Sequence, residues 1–540
     1  MNNQPSSVRC GLTIGSILAS GVRAARGTEI VTSDGRRMGY QALRERISKL
    51  GKALADMGVA TGTRVAVLDR DTHRYLEAYF AVPMLGATLM TANIRLSPSQ
   101  LRYTLEHSES SVVIAAAEFL PLLEQALEGS TLRLRLIVCP DESQHFPSTS
   151  MEYAGDYEAL LEAAGEFDFP QVDEEAVATH FYTTGTTGLP KGVSYTHRQL
   201  VEHTLAVGLA LASADDYQSL RVGDVYLPLT PMFHVHAWGM PYIATLLGLK
   251  QVYPGRFDAK TLPGLINREG VTYSHCVPTI LQMLLDEARL QGVTFSGWKV
   301  MVGGSAMVPT LASRALESGI QVFAGYGMSE TCPVVCFARA DATLAVQAPA
   351  ELCRVGCPVP LVDLRLWGEG VEQGELVARA PWLTRAYVKN EQGTCQLWEG
   401  DYLHTGDVAR IDADGAVRIV DRLKDVIKSG GEWISSLDLE RMLREHQAVE
   451  EAAVIGVPDE KWGECPRAFI KLDGMRTVAE DEVVRELTVM LNEQVRNGVI
   501  PKFAVPRSFV IVEEIPKTSV GKIDKKRLRT MVVAVPKPHA

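Results

Sequence analysis

Apolar positions along the first quarter of the chain change period in a regular way. Leu43, Ile47, Leu50 and Leu54 recur at helical spacing, and Arg64–Leu68 then forms a short apolar block of strand length. A second helical pattern covers Tyr75–Leu85, and Ser111–Ala115 is another apolar strand. The same rhythm of strand, turn and helix returns at Val225–Leu229, Lys299–Val302 and Val322–Ala324. Alternation of this kind predicts an α/β fold in which sheets are covered by helices. No fixed-period repeat is present. At the start, Cys10–Val22 is weakly apolar with Gly and Ser inside it, which predicts an amphipathic first helix.

The character changes near Asp421–Gly431. Beyond it lie a helical pattern (Leu437–His446), two strand patterns (Ala452–Val457 and Ala468–Leu472) and a second helical pattern (Glu480–Asn492). The expected organisation is a large N-terminal domain of mixed sheets and helices over residues 1–423. A smaller, mobile α+β C-terminal domain is expected over residues 424–540.

A chain of 540 residues is too long for one small core, which agrees with two domains. At 46% hydrophobic and 22% charged it has the composition of an ordinary globular protein and excludes extensive disorder. A formal net charge of −11 argues against nucleic acid as the main partner, because phosphate-backbone binding relies on clustered Lys and Arg. No apolar run approaches the ~20 residues of a membrane helix, so no integral membrane association is expected. The first segment lacks the apolar centre of a signal peptide, and a cytoplasmic location is expected. Of the nine cysteines, Cys332/Cys336 and Cys353/Cys357 are spaced C-x3-C without the CxxC knuckle of zinc ribbons. They read as small buried thiols.

The sharpest candidate chemistry is Tyr182–Val193, YTTGTTGLPKGV, which follows an apolar strand. Glycines let backbone N–H groups turn toward an anion, threonine hydroxyls add donors, and Lys191 neutralises charge. This is a phosphate cradle, although the order G-x4-G-K-[ST] of a Walker A loop is missing. A second cluster is Tyr326–Thr331, YGMSET, preceded by Gly303-Gly304-Ser305-Ala306. Its tyrosine can stack on a purine, and Glu330 can hold a divalent cation. Taken alone it reads equally well as a strand-end turn. A third segment, DYLHTGD (Asp401–Asp407), precedes Asp421-Arg422-Leu423-Lys424-Asp425. Asp407 can accept ribose hydroxyls and Arg422 can add a donor, or both can be turn residues. The fourth, PKTSVGKIDKK (Pro516–Lys526), lies in a tail with ten Lys or Arg against three Asp or Glu over its last 45 residues. By itself it is as readily a solvated basic face.

In this order the segments resemble the adenylate-forming superfamily of acyl-CoA synthetases, firefly-type luciferases and peptide-synthetase adenylation domains. The resemblance runs from about residue 30 to Arg529, and VDRLKDVIKSGGEWISS (Val420–Ser436) is most similar to bacterial medium-chain fatty acyl-CoA synthetases. It implies ATP, Mg²⁺ and coenzyme A as cofactor and co-substrates, with a carboxylic acid as the acyl donor. Thr183, Thr184, Gly185, Thr186, Thr187 and Lys191 would hold the β- and γ-phosphates. Tyr326 would sit against adenine, with Gly304, Ser305, Gly325, Gly327 and Met328 nearby. Thr184 and Glu330 would bind Mg²⁺, and Thr331 the α-phosphate. Asp407, helped by Arg422, would grip the ribose. Lys424 would be the hinge, and Lys522 the catalytic lysine of adenylation, acting with Thr184, Glu330 and His234. Gly430 and Gly431 would line the pantetheine path, with Lys428, Glu432 and Trp433 counted among the cofactor-binding positions.

PMFHVHAWG (Pro231–Gly239) resembles the motif that lines the acyl pocket. His234, His236 and Trp238 are expected there, with Val302, Gly303, Met328 and Val334; an ordinary packed aromatic cluster is the alternative. Amino-acid-activating relatives carry an Asp where this chain has His234, which disfavours an α-amino acid. Medium-chain fatty acids are the leading expectation. Short-chain, hydroxy, thioether, alicyclic or aromatic acids stay open, as does transfer to another acceptor. Homodimers are common in the superfamily, which leaves a homodimer open here.

Overall fold

A computed structural model of the chain describes residues 11–140, 149, 151–183, 189–368, 370–429, 432–459, 461–473, 479–518 and 523–534. Two sheets dominate its first 360 residues. The nine-stranded sheet runs in the order 357–358, 334–337, 320–327, 298–302, 273–276, 225–228, 250–252, 29–31, 37–39. Its six central strands are parallel and its edges antiparallel. The seven-stranded sheet runs 152–156, 135–139, 112–116, 64–68, 88–91, 177–183, 191–196, parallel up to its final hairpin.

The unbroken apolar character of Arg64–Leu68 now has a cause. Val65 and Val67 face one hydrophobic cluster while Ala66 and Leu68 face another. A strand covered on both sides has no polar face to show. The helix expected at Tyr75–Leu85 spans His73–Met84, starting earlier because the Thr72 hydroxyl accepts the Tyr75 N–H at 3.3 Å. The first helix, Ile14–Ala24, buries Ile14, Ile17, Leu18 and Gly21 along one stripe. It packs on the helix Met240–Leu246, and a Cβ at position 21 would collide with the Thr245 carbonyl oxygen, so only glycine permits the approach.

A five-stranded antiparallel sheet follows, with Tyr402–Ile411 flanked by Gly374–Arg379, Trp398–Glu399 and Val417–Arg422 and with Asp363–Leu366 at its edge. The remainder builds its own sheet from Glu432–Ile434, Ile427–Ser429, Gly463–Leu472, Val449–Asp459 and Ser508–Ile511. Along Val449–Asp459, Ala452 and Val454 point to one cluster and Ala453, Ile455 and Val457 to the other. The helices Ser436–Leu443 and Glu480–Arg496 bury Leu439, Leu443, Val483, Leu487 and Leu491 in the first of these. The architecture is α/β, a large N-terminal part of mixed sheets and helices with a smaller α+β part after it.

Candidate active site

Parallel strands end together, and the chemistry-bearing segments sit at those ends. A cavity of about 1100 Å³ opens there. Thr183 ends one strand, Val302-Gly303-Gly304 another and Gly325-Tyr326 a third, and all line the cavity with Ser305, Gly327, Met328 and Glu330. Ligand sites at the carboxyl ends of parallel strands are the rule in such sheets. Asp407, Arg422 and Lys424 close a further side, and Lys517, Thr518, Lys525 and Arg529 face them from the C-terminal part.

Asp407 is the node of the polar side. Tyr326 Oη donates to its Oδ2 at 2.6 Å, and Arg422 Nε lies 2.6 Å from its Oδ1. The arginine is there because the antiparallel register sets Arg422 opposite Asp407. Burial, with Asp407 beside it, holds the Tyr326 phenol well above its ordinary range, so it remains a donor. The carboxylate chiefly raises the Arg422 guanidinium in turn. Each carboxylate oxygen keeps a second acceptor direction. Burial lowers the Lys424 ammonium.

Glu330 occupies a 3₁₀ turn, Ser329–Thr331, and is 7% exposed. Its Oε1 accepts from Tyr387 Oη at 2.5 Å, and Lys191 Nζ rests 4.5 Å from the centroid of the same ring. Among the described residues no three His, Cys, Asp or Glu side chains could hold a metal unaided. One buried carboxylate, with an oxygen left over, beside a lysine at the mouth of a threonine-rich loop fits Mg²⁺ held jointly with phosphate oxygens.

The apolar side contains His234, Trp238, Val302, Gly303, Met328 and Val334, all lining the cavity. Gln282 and Met283 of the helix Pro278–Gln291 line it as well, and no local motif marks them. Trp238 leans on His275 with centroids 5.1 Å apart, and His275 bonds Tyr226 Oη at 2.9 Å and Thr230 Oγ1 at 3.0 Å. His236 corrects the sequence expectation. It is fully buried, away from the cavity, and caged by Tyr79, Phe181 and Tyr242. Burial pushes its imidazole down to about 3. The reason is backbone geometry: Val235, His236, Ala237 and Trp238 all take positive φ (47°, 54°, 46° and 59°), a tight turn that leaves Val235 and Trp238 on the cavity and His236 and Ala237 off it. Three side chains hold the entrance to this strained turn. Asp71 Oδ1 accepts the Met232 N–H at 2.6 Å, Tyr79 Oη donates to the Met232 carbonyl, and Thr91 Oγ1 donates to the Phe233 carbonyl at 3.0 Å. Burial pushes the Asp71 carboxyl up to about 7.

The remaining expected residues stand differently. Thr184, Gly185, Thr186, Thr187, Gly430, Gly431 and Lys522 lie outside the described residues. The Thr331 side chain is buried, and its hydroxyl is spent within its turn on Pro333 and Met328. Lys428, Glu432 and Trp433 are exposed on the hairpin Ile427–Ile434 and do not line the cavity; Lys428 Nζ lies 5.9 Å from the Trp433 ring. Conversely, a buried network went unread in the sequence. Ser436 donates to Asp421 Oδ2 from its N–H (2.5 Å) and its hydroxyl (2.6 Å), and Lys525 Nζ meets Ser436 Oγ at 2.5 Å and Glu440 Oε1 at 2.7 Å. Burial alone would depress the Lys525 ammonium, but Glu440 and Asp421 outweigh it and the group is raised.

This site, on this pair of sheets, is that of an adenylate-forming enzyme. The profile of the family described as AMP-binding enzyme matches residues 19–388, and that of the AMP-binding enzyme C-terminal domain matches residues 438–522. The chain belongs to the AMP-binding enzyme family, in the acyl-CoA synthetase branch of the adenylate-forming superfamily. It is 41% identical to a long-chain-fatty-acid–CoA ligase of Thermus thermophilus, over 92% of this chain and 91% of that one. It is 35% identical to a 3-methylmercaptopropionyl-CoA ligase of Ruegeria pomeroyi (91% of each) and 33% identical to a medium-chain-fatty-acid–CoA ligase of Ectopseudomonas oleovorans (97% and 96%). Among solved structures, the anthranilate CoA ligase AuaEII bound to anthranoyl-AMP shares the fold with a TM-score of 0.85 at 24% identity, covering 98% of this chain and all of that one.

Proposed function

We propose that the protein is an ATP- and CoA-dependent acyl-CoA synthetase that converts a carboxylic acid, through an acyl-adenylate, to acyl-CoA, AMP and pyrophosphate. Medium-chain fatty acids are its preferred substrates. The observation that carries this reading is one cavity in which Glu330 and the Tyr326–Asp407–Arg422 group meet an apolar lobe formed by Trp238, Val302 and Val334, with Lys191 resting on the Tyr387 ring that bonds Glu330.

In this reading Asp407 accepts the ribose hydroxyls with the acceptor directions that Tyr326 and Arg422 leave free, and Tyr326 lies along adenine. Lys191 and the glycine-threonine loop hold the terminal phosphates. Glu330, with Thr184, would hold Mg²⁺, which when bound offsets negative charge on the triphosphate. A carboxylate oxygen of the acid attacks the α-phosphorus while the bond to pyrophosphate breaks. Lys522 stabilises charge at that centre, a contribution typically worth ~10²–10³ in rate. The thiolate of coenzyme A then attacks the acyl carbon and AMP leaves.

The unit boundary proposed at residues 423/424, and rotation about Lys424 between the two steps, are supported by the separate cores on either side. Such a rotation would bring Lys428, Gly430, Gly431, Glu432 and Trp433 to the cavity in place of the Lys522 segment. No helix among the described residues is long and apolar enough to cross a membrane, and the proposed setting is the cytoplasm. Each methylene buried in the apolar lobe adds ~0.8 kcal/mol, about fourfold in affinity, so selection by chain length is graded.

The test is an assay with Mg-ATP, CoA and acids from acetate to palmitate, plus 3-methylthiopropionate, benzoate and amino acids. Equal amounts of acid-dependent AMP and thioester, highest near eight to ten carbons, are expected. AMP without thioester would overturn the assignment to CoA. Lys522→Ala should lose adenylation yet form thioester from supplied acyl-AMP; full adenylation would remove Lys522 from its role.

A further inference from the structure

We propose that Tyr387 is a positioning residue that sets the phosphate-side lysine and the acidic ligand of the divalent cation as one unit. The inference rests on the proposed roles of Lys191 and Glu330. Tyr387 lies outside all the sequence motifs that suggested the site.

Its phenol touches both groups. The Lys191 ammonium sits on the ring face, 4.5 Å from the centroid, and the hydroxyl donates to Glu330 Oε1 at 2.5 Å. The first contact is cation–π attraction and the second a charge-assisted hydrogen bond. Among the described residues no carboxylate lies in ion-pair range of Lys191 and no cation in range of Glu330. The tyrosine therefore satisfies a cation and an anion without letting them neutralise each other. Lys191 keeps its charge for a phosphate, and Glu330 keeps an oxygen for a metal ion.

The ring is itself held firmly. Tyr387 is 8% exposed, and its N–H donates to Thr394 Oγ1 at 3.0 Å. The loop before it is stitched to both partners' segments. Val388 N–H donates to the Gly192 carbonyl (2.9 Å), one residue from Lys191, while Thr384 N–H donates to the Glu330 carbonyl (3.0 Å) and Trp382 Nε1 to that of Thr331 (3.1 Å). Residues 382–388 thus clamp the strand Lys191–Thr196 to the turn Ser329–Thr331, and the phenol fills the corner between them. A group held in this way lowers the cost of ordering its partners when the ligand arrives.

The full-length protein is titrated by calorimetry with AMP, and with ATP at a series of Mg²⁺ concentrations, without an acid so that nothing turns over. Tyr387→Phe keeps the ring under Lys191 and removes the hydroxyl. The Mg²⁺ concentration needed for half-maximal tightening of ATP is expected to rise about tenfold, the scale of one hydrogen bond to a charged group. AMP affinity should stay as in the wild type, with Tm changed by only a few degrees. Tyr387→Leu should also weaken ATP at saturating Mg²⁺, again sparing AMP. Equal losses for AMP and ATP, or an unchanged Mg²⁺ midpoint in Tyr387→Phe, would overturn the proposal. Glu330→Gln separates the two levels. If it shifts the midpoint and Tyr387→Phe does not, only the role of Tyr387 falls. If neither shifts it, the metal-binding reading of Glu330 falls too.

Discussion

Tyr326 and Asp407 belong to different sheets, yet Tyr326 Oη lies 2.6 Å from Asp407 Oδ2. The tyrosine is carried by the strand Ile320–Gly327 of the nine-stranded sheet, and the aspartate by the central strand of the five-stranded one. This bond fixes the polar side of the cavity across the seam between two sheets.

Removing that bond should loosen nucleotide binding more than folding. In Tyr326→Phe, Asp407 keeps Arg422 but loses a donor whose bond to a charged acceptor is worth about 1.5–3 kcal/mol. AMP affinity measured by calorimetry should fall about tenfold or more, with Tm changed by only a few degrees. An unchanged affinity would show that Tyr326 does not orient Asp407.

The buried pair Lys525–Glu440 should be far more sensitive to losing one partner than to losing both. Lys525→Met strands a carboxylate that also accepts the Val454 N–H at 2.8 Å, and should cost about 3–5 kcal/mol. Lys525→Met with Glu440→Gln should recover much of this, because the amide oxygen still serves Val454 without a charge. Urea denaturation of the four proteins of the cycle measures the coupling. Strict additivity would mean that the pair is not coupled.

Gly303→Ala should shorten the acyl lobe. A Cβ there would stand 3.0 Å from the Trp238 ring and 2.7 Å from the Gly325 carbonyl oxygen. If the space lost equals one or two methylenes at about fourfold each, kcat/KM for decanoate should drop about tenfold relative to butyrate. Equal losses for both acids would place the acyl chain elsewhere.

Asp71 ties stability to pH. Its carboxyl is raised from 3.8 to about 7 by burial, so the folded protein holds a proton that the unfolded chain releases. The resulting stabilisation is complete below 3.8 and is lost as pH rises through about 7. Asp71→Asn mimics the protonated form at every pH. The Tm of the variant minus that of wild type should therefore increase from pH 5 to about pH 7 and level off above it. A difference that stays flat would show that Asp71 is ionised throughout.

What the sequence revealed about the site depended on whether its signal was local. Thr183 and Lys191 share one loop region, and the glycines at 303–304 and 325 betray places where backbone meets ligand. Asp407 and Arg422, fifteen residues apart in sequence, read equally well as turn residues until the register of two strands paired them. His236 was misplaced because a polar residue between two cavity residues looks like a third. The run of positive φ that turns it into an aromatic cage leaves no mark on residue type.

The sequence by itself determined the alternation of strands and helices, the change of character near residue 421 and the glycine- and threonine-rich segment proposed to bind phosphate, because each depends on neighbours within a few turns of chain. Only the tertiary structure decided that Tyr387 joins Lys191 to Glu330, that Lys525 is buried against Glu440, and that Asp71 anchors the turn at Met232. Those contacts span from 57 to 196 residues of chain, and the energy of a buried charge or phenol depends on what surrounds it in space, which single positions in a sequence do not encode.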